Sequence, residues 1–90
     1  MLMIKNKLQP SSLGLKNIAG WYGVLAILAA YALLSFKVIG SDSLPYQLLN
    51  LTGAGGLIIE TAAKRDVQPV VLNAIWAAVA LVAIIRITIS

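Results

Sequence analysis

The sequence has no cysteine and no histidine, and only three acidic residues, Asp42, Glu60 and Asp66, in ninety. Each absence removes a class of chemistry. Without cysteine there is no disulfide framework, no thiolate nucleophile and no sulfur ligand for a metal. Without histidine the usual proton shuttle and the commonest metal ligand are missing. Three scattered carboxyls make neither a metal cluster nor a Ser-His-Asp arrangement, so the chain is not expected to be an enzyme, and no catalytic, metal-binding or cofactor-binding residue is assigned. Charge is scarce as well: 11% of the residues are charged and 60% are hydrophobic. A soluble domain of this size has too little interior to hide so much apolar surface. The mean hydropathy of +0.91 places the chain among integral membrane proteins.

What the chain does have is three long apolar segments. Crossing a hydrocarbon core of roughly 30 Å takes about 20 mostly apolar residues. Helices are expected over about residues 18–38, 44–64 and 67–87, separated by connections too short for anything but antiparallel neighbours. The expected fold is therefore all-α, three transmembrane helices in an up-down-up bundle forming one membrane domain over 18–88. Asn17 would cap the first helix, and Gly40 would end it. Asp42 or Ser43 would cap the second and Asp66 the third, with Pro45 and Pro69 in first turns, where no amide donor is needed. Residues 1–17 are read as a tail lying partly in the interface, its leucines on acyl chains and its lysines on headgroups, or else solvated.

The formal charge of +4 is spread over the ends of the helices. Lys5, Lys7, Lys16, Lys64 and Arg65 fall at the end shared by the tail and the second turn, Lys37 and Arg86 at the other. Five against two favours a cytoplasmic N-terminus and an external C-terminus. Trp21, Tyr22, Lys37, Lys64, Arg65 and Arg86 are the expected interface anchors. No basic face with interleaved aromatics exists, so a nucleic-acid partner is not expected.

Polar groups inside the apolar segments carry the remaining information, because they are costly at membrane depth unless partnered. At ~1.5 Å per helical residue, Asn50 and Tyr31 come to similar depths below the same surface. Tyr31, Gln47 and Asn50 are read as a polar packing cluster. Asn73 and Trp76, three apart on the third helix, form a second cluster near Glu60 and are the residues that would face a solute. Glu60 precedes Lys64 by four, a spacing for an exposed ion pair. Ala19, Gly23, Ala26 and Ala30, spaced by four, three and four, give the first helix a small-residue face. Thr52, Gly53, Gly55 and Gly56 are read as the close-contact surface of the second helix.

The runs D-S-x-x-Y-Q-L-L-N-L-x-G-A from Asp42 and V-L-N-x-x-W from Val71 resemble those of a family of small bacterial three-helix membrane proteins of unknown function. That resemblance implies a bacterial inner membrane. The layout is more distantly similar to the SemiSWEET and PQ-loop transporters, three-helix units that dimerise around a sugar site. On that likeness Asn73 would stand at a substrate-facing position and Trp76 beside the cavity, although Ala30-Tyr31-Ala32 replaces the Pro-Gln pair expected in the first helix. Two functions follow as expectations. The first is a non-enzymatic accessory or assembly subunit of a larger membrane complex, acting by helix packing. The second is a homodimeric transporter of a small neutral solute. The partners expected are the lipid bilayer and other membrane subunits or a second copy, with a bound lipid, quinone or pigment compatible with the first reading.

Overall fold

Long runs of Leu, Ile, Ala and Val without interior proline favour helix, and the breakers Gly40-Ser41 and Arg65-Asp66 divide them. A computed structural model describes residues 12–89 and shows three helices, with no strand among those residues. They are α1 (Ser12–Ser35), α2 (Leu44–Ala63) and α3 (Val67–Ile89). Expectations for residues 1–11 of the tail lie outside the described residues.

The first helix begins six residues earlier than Asn17 suggested. Asn17 lies inside α1. Nothing between Ser12 and Asn17 stops a helix except the modest penalty of Gly14, so the first turn forms directly after the Pro10-Ser11 breaker. Its end also comes early, at Ser35, where the chain closes on itself. Lys37 takes a left-handed φ of 62°. Its amide donates to the Leu34 carbonyl at 3.0 Å and that of Val38 to Leu33 at 2.9 Å. This crossed pair is the Schellman closure, which normally uses glycine.

The second turn repeats the device. Arg65 has φ 58°, its amide donates to Ala62 at 3.0 Å, and that of Asp66 to Thr61 at 2.9 Å. A cation in this position lies close to the last carbonyls, where the helix dipole favours positive charge. Asp66, expected as the cap of α3, thus closes α2 with its amide, and its own carbonyl accepts from Val70 at 3.4 Å. Ser43 is the cap of α2, its hydroxyl accepting from the Tyr46 amide at 3.4 Å and donating to Gly40 at 2.6 Å.

The second helix packs against both of the others, while α1 and α3 barely touch. The seam with α1 is made of backbone. A side chain on Gly56 would run into the carbonyl of Ala19, and one on Gly23 would come within 2.5 Å of the Gly53 carbonyl. Gly23, Ala26 and Ala30 of α1 and Gly53, Ala54 and Gly56 of α2 are buried. Gly55 is turned away, with open space beside it. At 100° per residue, three glycines at 53, 55 and 56 cannot all face one neighbour, and the pair spaced by three does so. Thr52 meets α1 through its side chain: its hydroxyl donates to Leu48 at 2.8 Å and so accepts from the Tyr22 hydroxyl at 2.6 Å.

No large side chain is fully buried among the described residues, whereas large apolar side chains are exposed on all three helices, most of them on α1 and α3. Helices α1, from Gly14, and α3 are long and apolar enough to cross a membrane. Helix α2 falls short of that apolarity, because Gln47, Asn50 and Glu60 and its glycines dilute the leucines. It is also the helix with a neighbour on two sides.

Candidate functional site

Tyr46, Gln47 and Asn50 sit in the first two turns of α2, and Asn50 faces α3. Asn50 is only 4% exposed. Its amide nitrogen donates to the carbonyl of Tyr46 one turn back, at 2.9 Å. That leaves Oδ1, which accepts from the indole nitrogen of Trp76 at 2.9 Å. Asn50 and Trp76 thus tie α2 to α3 with one hydrogen bond between side chains. Leaving either group unpaired away from water would cost about 1–3 kcal/mol.

This bond forms part of the lining of a groove of about 370 Å³ between the two helices. Tyr46, Gln47 and Asn50 line the α2 side, and Leu72, Ile75, Trp76 and Val79 the α3 side. Gln47 spends its amide on the first turn, donating to the Ser41 carbonyl at 2.7 Å, and so fixes the mouth of the groove. The arrangement is an apolar trough with an amide and an indole in it. It can hold an apolar or weakly polar molecule, or a side chain from another helix.

Three of the residues expected here are placed differently. Tyr31 is 67% exposed and points away from Gln47 and Asn50. It follows the fully buried Ala30, and one residue on a helix is a 100° turn, which carries it out of the seam. Asn73 is buried, but its amide donates to its own helix, to Pro69 at 2.9 Å, and it does not line the groove. Glu60 faces α1, not Asn73 or Trp76: its carboxyl group lies over Gly20. There it accepts from Lys64 Nζ at 3.0 Å.

The anchors also divide. Trp21, Lys37, Lys64, Arg65 and Arg86 are exposed. Tyr22 turns its hydroxyl onto Thr52, so it joins two helices. The pairing of Asn50 with Trp76 was missed, although a signal for it exists. An indole N–H in an apolar helix needs an acceptor. Counted from Arg65, Trp76 is eleven residues on and Asn50 fifteen back, about one turn apart in level.

Neither a curated protein nor a solved structure matches the chain. Residues 16–90, which take in all of α2 and α3 and most of α1, match an uncharacterised protein family, and the chain belongs to that family.

Proposed function

We propose that the chain is an integral membrane protein with three spans, α2 in the middle, that works by helix packing as a non-enzymatic accessory or assembly subunit of a larger membrane complex. The observation that carries this reading is the distribution of surface: polar groups are turned inward onto α2, and large apolar side chains outward along α1 and α3. In water that surface would drive aggregation. In a bilayer the outer faces of α1 and α3 meet lipid or other helices, and the small-residue seam holds the unit together without a large core. The short polar α2 is carried between two more apolar neighbours. The N-terminus is cytoplasmic and the C-terminus external in a bacterial inner membrane, with Lys16, Lys64 and Arg65 at the inner end.

The sequence has no cysteine, so an introduced thiol is unique. An impermeant maleimide applied to intact spheroplasts is expected to label Ser41→Cys and not Asp66→Cys. Reversed labelling would overturn the orientation, and equal labelling in carbonate-washed supernatant would overturn the membrane assignment. Crosslinking in native membranes should give specific heteromeric products. Monomers alone would remove the subunit reading.

A second reading is favoured by the α2–α3 groove, which would need a second copy to become a closed path. A homodimeric carrier of a small neutral solute would use Asn50 and Trp76 there, rather than Asn73. Uptake into proteoliposomes that is unchanged by Asn50→Ala would exclude it.

A further inference from the structure

A second cavity, of about 450 Å³, lies at the end of the α1–α2 seam near the second turn, lined by Asn17, Gly20, Trp21, Val24, Glu60 and Lys64. Its polar groups do not match one another. Glu60 and Lys64 form an ion pair at 3.0 Å, and Asn17 Oδ1 is buried without a hydrogen-bond partner among the described residues. A buried carbonyl oxygen left without a donor costs about 1–3 kcal/mol. The cavity is therefore balanced in charge, and none of the N–H donors beside it reaches Asn17 Oδ1.

We propose that this cavity binds the headgroup of an aminophospholipid, phosphatidylethanolamine in chemistry. Its primary ammonium donates to Asn17 Oδ1 and the Glu60 carboxylate, and its phosphate pairs with Lys64. The assignment rests on the membrane-spanning reading given above.

Four observations converge on that ligand. Glu60 and Lys64 cancel in charge, which suits a zwitterion better than an anionic headgroup. The Asn17 oxygen can accept from a hydrogen on the ligand's nitrogen, and a quaternary choline has none. Trp21, exposed at the cavity, offers its ring to a cation. Glu60 is three residues from the end of α2 at Ala63, about 5 Å inside it, a depth at which headgroups meet acyl chains.

The surface beyond the cavity suits the rest of the lipid. Val24 lines the cavity, and Leu28, four residues on, is exposed. Together they continue an apolar strip along α1 on which an acyl chain can lie. Gly20 has a part as well. Any side chain there would occupy the space of the Glu60 carboxyl group, so the glycine is what lets an acid fold into the seam.

The test uses the full chain in phosphatidylcholine vesicles doped with brominated phosphatidylethanolamine, phosphatidylglycerol or phosphatidylcholine at equal mole fraction. Tryptophan quenching is read, and the Trp21→Phe protein supplies the contribution of Trp76. Quenching of Trp21 is expected to be several-fold stronger with the ethanolamine lipid, and Glu60→Gln and Asn17→Val should each abolish the preference. Equal quenching by all three headgroups, or a preference that survives both substitutions, would overturn the site. Soluble glycerophosphoethanolamine should compete only weakly, since it lacks acyl chains; strong competition would reassign the cavity to a soluble amine. Carbonate extraction of the same vesicles separates the two levels. A chain that is extracted refutes the membrane reading, while a retained chain without the preference refutes only the headgroup site.

Discussion

Where α2 meets α1, backbone lies against backbone, and Gly23, Gly53 and Gly56 leave no room for a methyl group. Where α2 meets α3, side chains hold the helices apart, a groove remains, and a hydrogen bond from Trp76 to Asn50 spans it. Both contacts belong to one helix, and they solve different problems. Between α1 and α2 the helices approach closely and gain dispersion contacts and shape, with little need of polar bonds. Between α2 and α3 a directional bond sets rotation and level, and space is left over. A rigid pair and a more adjustable third helix follow from the same twenty residues of α2.

The largest test of that contrast is Gly56→Leu. The new side chain meets the Ala19 carbonyl, which cannot step aside as a side chain would, so a loss of about 3 kcal/mol is expected. Thermal unfolding in mild detergent, followed by circular dichroism, should show it, and Gly55→Leu should leave the midpoint unchanged because that position is open. Equal effects at the two positions would remove the idea of a glycine seam.

Trp76→Phe comes next. It strips Asn50 of its donor while keeping an aromatic ring, and about 1 kcal/mol should be lost. A double-mutant cycle with Asn50→Ala is expected to show a coupling of that order, whereas a cycle of Trp76→Phe with Gly23→Ala should show none. Tyr22→Phe is smaller, about 0.6 kcal/mol, because the bond to Thr52 is exposed and the threonine hydroxyl keeps its own carbonyl. Non-additivity with Thr52→Ala would place it in the seam. Its absence would make the tyrosine a passive surface group.

The smallest effect has the opposite sign. Lys37→Gly and Arg65→Gly relieve left-handed backbones and should each stabilise by about 0.5 kcal/mol. The two turns use the same closure, so the gains should match. Unequal gains would move the difference between the seams into the connections.

Three helices, their order and the start of α2 at Leu44 were readable from apolar length and breakers, whereas the choice of Ser43 over Asp42 as its cap was not. The start of α1 was not, because Asn17 is a good cap residue in a place where no cap was needed. Its end was hidden for another reason: a lysine in a left-handed backbone carries no sequence signal. The polar contacts were harder still. Depth along a helix follows from counting, but contact also needs rotation about the axis, and Tyr31 matched Asn50 in the first and not in the second. The rotation was written in the stripe Gly23, Ala26 and Ala30, which faces α2 and turns Tyr31 out. The unpaired oxygen of Asn17 could not be read from residue types at all, since only packing decides which polar atoms lose water.

The modest apolarity of α2 has a consequence for how the chain would enter a membrane. A segment carrying Gln47, Asn50 and Glu60 partitions poorly alone, yet α1 precedes it in synthesis and presents a small-residue face cut to fit Gly53 and Gly56. On the proposed reading, α2 leaves the translocon as half of a hairpin already formed, and α3 is received afterwards by the indole-to-amide bond. Delaying α1, by lengthening the first turn with a polar spacer, should then strand α2 in the lumen of the insertion machinery while leaving the insertion of α1 itself untouched.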